Sequence, residues 1–97
     1  MKLLTKAIEK KLPAIYETED TPTPQKKAVV KFFLPGTAIT WYGIEYDPIR
    51  REFFGLVDNY EKELGYFNLT ELERLRGQFN LGVERDLSFE PTSLKDL

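Results

Sequence analysis

Apolar positions along the chain change their period near residue 28. In residues 3–12, Leu3, Leu4, Ala7, Ile8 and Leu12 recur at helical spacing and fall within one broad face. Lys2, Lys6 and Lys10 follow one another at intervals of four on the other side. The pattern predicts an amphipathic N-terminal helix that stops near Leu12, ahead of Pro13. The lysine stripe reads first as a solvated face and only second as an anion site. The next segment, "ETEDTPTPQKK" at residues 17–27, has no periodicity and carries two prolines, so it predicts a polar surface loop. "TPTP" also suits a polyproline II segment docking on a proline-reading domain, but a plain loop is the simpler reading.

From residue 28 the pattern is that of strands. "AVVKFFLP" (28–35) is β-branched and aromatic and ends at the turn signal Pro35-Gly36. "TAITWYGIEYD" (37–47), "FFGLV" (53–57) and "LGYF" (64–67) follow, separated by the turns "DPIRRE" and "DNYEKE". Short connections between strands favour an antiparallel meander. Simple alternation places Val29, Phe33, Phe53, Val57, Leu64 and Tyr66 on one face. Val30, Phe32, Leu34, Ile39, Trp41, Phe54, Leu56 and Phe67 then take the other, so both faces need cover.

The stretch "ELGYFNLTELERLRG" (63–77) predicts that cover. Asn68 can N-cap a helix with Glu71 three residues on and Phe67 stapled to Leu72; Thr70 with Glu73 offers a second capping box, and both registers are open. Leu69, Leu72 and Leu75 form the stripe that would face the sheet, and Gly77 is the expected left-handed stop. Beyond it, "ERDLSFE" (84–90) alternates and predicts a fifth, edge strand; "PTSLKDL" suits one helical turn opened by Thr92 or Ser93.

Composition narrows the chemistry. Ninety-seven residues make one domain at most, 1–97, with the polar loop at 17–27 inside it. Seven Phe, five Tyr and one Trp argue against disorder. The lysines within "MKLLTKAIEKKLP" interrupt any secretory core, and no run approaches a membrane span, so the expected location is the cytoplasm. The absence of Cys agrees with that location and removes disulfides. Charge is uneven within a net −2: residues 1–31 hold seven Lys against four acids, and 32–97 hold seven Lys/Arg against twelve acids. The basic end suits an acidic partner, while the remainder repels phosphate.

There is no His, which removes Ser-His-Asp and Cys-His catalysis, and without His and Cys neither zinc nor haem has its usual ligands. No Walker loop or GxGxxG is present. Glu45, Asp47, Asp58, Glu61 and Glu63 lie near strand ends, where a facing pair would hold Mg²⁺; acidic surface and edge protection is the simpler account. Trp41, Tyr42 and Tyr46 are the better candidates. With strict alternation Tyr42 and Tyr46 look away from Trp41, and such an exposed aromatic face binds a partner or stacks single-stranded bases, with Lys31, Arg50 and Arg51 as nearby cations. Arg74 and Arg76 lie about 200° apart on a helix, so at most one faces the sheet. Arg76 suits the helix dipole, and an ion pair of these C-terminal arginines with Glu84 or Asp86 is expected. Capping and packing leave Tyr66, Arg74 and Arg76 unexplained.

"MKLLTKAIEKKLPAIYETED", "VKFFLP", "TWYGIEYD", "FFGLV", "ELGYFNLTELERLRG" and "ERDLSFEPTSL", in this order, together resemble one small bacterial family, domain of unknown function 2958. The resemblance covers nearly the whole chain. It implies a cytoplasmic bacterial protein often encoded on plasmids and integrative elements, and an accessory role in DNA mobility, replication or conflict with host defences. It brings no catalytic residues.

The expectation is therefore an α+β domain with a four- or five-stranded, mainly antiparallel sheet, an N-terminal helix and a short helix near 69–76 packed on it. The leading functional expectation is a small non-catalytic interaction protein with no cofactor or metal. It would bind a protein partner through Trp41, Tyr42, Tyr46, Tyr66, Arg74 and Arg76 or through the lysine face. A nucleic-acid module using Tyr42 and Tyr46 is second, and a carboxylate-based Mg²⁺-dependent enzyme third.

Overall fold

The computed structural model describes every residue, Met1–Leu97. A helix α1 (Lys6–Glu9) and a 3-10 turn (Thr23–Gln25) precede strands β1 (Lys27–Ala28), β2 (Val30–Phe33), β3 (Thr40–Asp47), β4 (Glu52–Asn59) and β5 (Glu61–Asn68). Helix α2 (Leu69–Arg74), a 3-10 turn (Gln78–Asn80), β6 (Glu84–Arg85), β7 (Thr92–Ser93) and a last 3-10 turn (Leu94–Asp96) complete the chain. Five strands form one antiparallel sheet in the order β5-β4-β3-β2-β6, and β1 pairs with β7 in a separate two-stranded ladder. The α+β architecture expected from the pattern is the one observed.

One sheet face carries the main core. Phe53, fully buried at its centre, meets Tyr46 at 4.6 Å, Phe67 in a stack at 5.0 Å and Phe32 edge-on at 5.5 Å between ring centroids. Trp41 joins them, and Leu69 and Leu72 of α2 with Leu3, Leu4 and Leu12 of the N-terminal arm close the layer. Ala28, Tyr42 and Leu56 form a smaller cluster, packed by Phe89, Leu94 and Leu97 of the tail. Because residues opposite each other on neighbouring strands share a face, the register corrects the simple alternation. Phe53 pairs with Phe67, Phe54 with Tyr66 and Leu56 with Leu64. Phe53 and Val57 therefore belong with Trp41 and Phe67, and Phe54 and Leu56 with Leu64 and Tyr66.

The cause of a second correction is a bulge in β3. Gly43 pairs with Gly55 and Glu45 with Phe54, leaving Ile44 as an extra residue. One inserted residue reverses the face of everything after it. Tyr46 thus joins Trp41 in the main core, and Tyr42 alone takes the opposite face. All three are buried, at 8% for Trp41, 9% for Tyr42 and 4% for Tyr46, so the exposed aromatic strand face expected from sequence is not present.

Ends of elements also differ from expectation. Residues 3–12 hold only the four-residue α1: the Thr5 hydroxyl accepts from the Ile8 N–H at 3.2 Å and starts the helix there. Leu3 and Leu4 are buried as irregular chain, held where Arg85 donates to the carbonyls of Lys2 and Leu3 at 2.5 and 2.9 Å. At α2, Asn68 is the cap, its Oδ1 accepting from Thr70 N at 2.8 Å and Glu71 N at 3.2 Å. Helix α2 ends at Arg74, so Leu75 is turned out at 38% exposure and does not complete the leucine stripe. Gly77 has φ −104° and is no left-handed stop; a Cβ there would lie 3.2 Å from the Leu34 side chain. The fifth strand is only Glu84–Arg85, paired with Phe32 and Phe33 at the sheet edge, and Leu87 beyond it is exposed. The C-terminal turn forms after Ser93, though without a side-chain cap.

Candidate functional site

Of β3, only Thr40–Gly43 pairs with β2, which leaves the second half of β3 free on that side. The segment after Pro13 fills the gap. The Tyr46 N–H donates to the Pro13 carbonyl at 2.9 Å. The Glu45 carboxylate, turned by the bulge to the Phe54 face, collects the loop: Tyr16 N–H donates to Oε1 at 2.9 Å and Thr18 N–H to Oε2 at 3.0 Å. The Thr18 hydroxyl donates to Oε2 as well, and the Lys26 ammonium donates to the Thr18 carbonyl and, at 3.2 Å, to its hydroxyl oxygen. Glu45 and Lys26 are thus two buried opposite charges, 4% and 8% exposed, bridged through one threonine. Burying such charges is costly unless each is hydrogen-bonded, and no buried side-chain polar atom in the chain lacks a partner.

This clamp positions an aromatic cleft. Tyr16 adopts a left-handed backbone, φ +72°, an uncommon conformation for a bulky residue. Its side chain stands at the rim, facing Tyr66 of β5, and both residues are exposed, at 68% and 51%. Phe54 forms the floor, its ring 5.3 Å from that of Tyr66. The cleft encloses about 240 Å³, with Glu19, Thr23, Lys26, Glu45 and Leu64 completing its lining. A shallower hollow along Leu56, Leu64, Lys62 and Leu94 continues it down the same face of β5. The Tyr66 phenol is pushed above its ordinary pKa, first by the Tyr16 hydroxyl beside it, then by burial, and further by the negative field of Glu45 and Glu52.

The other residues singled out from sequence have structural duties. Trp41 and Tyr46 are core side chains, and burial raises the Tyr46 phenol against the opposing pull of Arg51. Tyr42 packs on Phe89 at 5.8 Å beneath Lys31. Arg76 donates to the carbonyls of Glu73 and Leu75, both at 2.9 Å, capping the end of α2. Arg74 is exposed and helps lower the Glu73 pKa, after the larger effect of Arg51. Neither arginine pairs with Glu84 or Asp86; Asp86 takes Lys31 at 3.6 Å instead. Thr70 and Glu73, read as a second capping box, grip Arg51: Nη1 donates to the Thr70 hydroxyl at 2.7 Å, and both guanidinium arms donate to the Glu73 carboxylate at 2.8 and 2.9 Å.

No group of three or more acidic residues is placed to hold a metal ion. Glu45 is committed to the loop, and Asp47 accepts from Ile49 N at 2.9 Å in the β3–β4 turn. In a hollow of about 500 Å³ near Met1, Leu3, Val83, Asn80 and Glu84, two of the wall groups are already paired, Arg76 to the α2 carbonyls and Glu73 to Arg51.

Of the candidate residues named from sequence, then, Tyr66 and one of the carboxylates, Glu45, reach the cleft. Tyr16, Glu19, Thr23, Lys26, Phe54 and Leu64 line it with them without having been singled out as site residues. A family model described as "Protein of unknown function (DUF2958)" matches residues 3–95. The chain belongs to the DUF2958 family. No curated protein and no solved structure matches it. The matched span of this DUF2958 protein contains every residue of the cleft and of the clamp behind it. No helix in it is long and apolar enough to cross a membrane.

Proposed function

We propose that this DUF2958 protein is a small non-catalytic interaction module that receives an extended segment of a protein partner along the outer edge of β5. Following the family resemblance, it would act as an accessory protein of a bacterial mobile element, in the cytoplasm. The observation that carries this reading is the open edge itself. β5 runs for eight residues with β4 on one side and no strand on the other. Glu61, Lys62 and Glu63 guard its first half with charge, as edge strands usually require. Leu64–Phe67 carries no charge and lies against the tyrosine cleft. The opposite edge differs: β6 is two residues long, and Arg85 is tied to Met1, Lys2 and Leu3.

An extended segment added there would gain main-chain hydrogen bonds from β5 and side-chain sockets from the cleft, the usual division of labour in strand addition. A basic segment suits the edge better than a second copy of this chain. β5 itself carries two Glu and one Lys, and the whole span 32–97 has twelve acids against seven bases. The test is a display selection of random peptides on the immobilised protein, followed by amide hydrogen exchange of the complex. Enriched peptides should slow exchange across Leu64–Phe67. Selection without enrichment, or binders that leave β5 exchange unchanged, refutes the proposal. Tyr42 and Tyr46, the residues that sequence offered for stacking single-stranded nucleic acid, are buried.

A further inference from the structure

We infer that the cleft between Tyr16 and Tyr66 is an arginine socket: it takes the guanidinium of one side chain of the extended segment, and so sets which partner β5 accepts. The inference rests on the strand-addition reading for the segment's backbone, but the cleft carries its own chemistry. Three aromatic rings line it, Tyr16 and Tyr66 at the rim and Phe54 as floor. A planar cation stacks on such faces better than a neutral or anionic group does. Glu45 and Glu19 supply the negative charge.

Glu45 has capacity left for a ligand. A carboxylate offers about four acceptor positions. Tyr16 N takes one on Oε1, and Thr18 N and the Thr18 hydroxyl take two on Oε2, so Oε1 retains one. The Lys26 ammonium, which also lines the cleft, offsets Glu45 across Thr18, so the uncompensated negative charge of the lining is that of Glu19, which makes no ion pair. At about 240 Å³ the cleft itself has room for a single long side chain.

The experiment uses the full chain and two synthetic peptides. One is acetyl-Thr-Val-Thr-Arg-Thr-Val-Thr-amide; the other replaces its arginine with citrulline, which is planar, similar in shape and uncharged. Each is titrated to millimolar concentration, with NMR of the aromatic rings and of the β5 amides as readouts. The arginine peptide should move the Tyr16, Phe54 and Tyr66 ring signals and bind about tenfold more tightly than the citrulline peptide. That preference should fall below about threefold in a Tyr66→Leu, Glu19→Gln double variant. Circular dichroism checks that this variant folds. Equal affinity of the two peptides, with β5 amides protected by both, overturns the socket and leaves strand addition standing. Arginine-dependent ring shifts without β5 protection keep the socket and overturn strand addition. No ring shift and no protection overturns both.

Discussion

Replacing Glu45 by alanine should detach the Pro13–Thr18 segment while leaving the sheet folded. The carboxylate accepts three hydrogen bonds from Tyr16 and Thr18, and through Thr18 it faces the buried Lys26 ammonium. A hydrogen bond to a charged group contributes about 1.5–3 kcal/mol, and such contributions are not additive. Removing one member of a buried charge pair usually costs about 3–5 kcal/mol, because the other is left uncompensated. The Thr18 bridge and the exposed rim allow water to relieve part of this, so about 3 kcal/mol is the expected loss. A domain of this length has on the order of 5–15 kcal/mol in hand and should stay folded. Trp41, the single tryptophan and buried in the core, reports global unfolding by fluorescence in urea. Amide exchange at Tyr16 and Thr18 reports the local event. Glu45→Gln, which keeps the shape and loses the charge, should fall between the wild type and Glu45→Ala. If Glu45→Ala costs under about 1 kcal/mol and both amides stay protected, the clamp is not what holds the cleft wall.

Two glycines on adjacent strands should respond in opposite ways. A Cβ on Gly55 would sit 1.8 Å from the Tyr42 carbonyl oxygen, so Gly55→Ala must push main chain apart and should cost about 3 kcal/mol or more in a urea titration. A Cβ on Gly65, its cross-strand neighbour, would meet nothing within 4 Å, and its φ is not in the left-handed region, so Gly65→Ala should be neutral or stabilise by about 0.5 kcal/mol. The Arg51–Glu73 pair predicts an acid-side effect. Arg51 holds the Glu73 carboxyl below its ordinary value, so its stabilisation is complete above the unfolded pKa of about 4.3 and is lost as pH falls through the folded value. Both side chains are about two-fifths exposed, at 40% and 42%, which limits the effect to under about 1 kcal/mol. Glu73→Gln should flatten stability against pH below about 4.5 and change nothing in its slope near pH 7; an unchanged acid limb refutes the assignment.

The meander was legible because its turns are local. Pro35-Gly36, "DPIRRE" and "DNYEKE" mark where the chain reverses between strands, although the strands run further into them than the pattern suggests: all of "DNYEKE" but Tyr60 belongs to β4 or β5, and Asp47 pairs with Glu52. The Asn68 cap was legible for the same reason, since its partners are two and three residues away. The N-terminal helix was over-read because its apolar period is real but its leucines have two ways to be buried. Leu3 and Leu4 bury as irregular chain once Arg85, more than eighty residues away, binds their neighbourhood. A four-residue helix gains little from propagation, so tertiary contacts decide its length. The cleft was illegible on the same grounds. Its walls come from residues 16, 19, 23, 26, 45, 54, 64 and 66, and the loop read as merely polar is fastened by contacts spanning 27 and 29 positions.

The single residue that separates the expected site from the observed one is Ile44. With strict alternation, Glu45 would share the face of Trp41 and bring a carboxylate among Phe53 and Phe67, where nothing hydrogen-bonds it. Tyr46 would stand with Tyr42 on the opposite face. The bulge exchanges the two. It sends Tyr46 against Phe53 at 4.6 Å and Glu45 to the Phe54 face, where the Tyr16 and Thr18 amides reach it. The adjacent glycines permit the exchange: a Cβ on Gly43 would lie 2.8 Å from Val30 and 2.9 Å from Phe53, and one on Gly55 would strike the Tyr42 carbonyl. Core and cleft therefore depend on the same irregularity. A substitution that straightens β3 should bury a charge on one face and release the Tyr16 wall on the other, which ties the stability of this fold to the shape of its candidate binding surface.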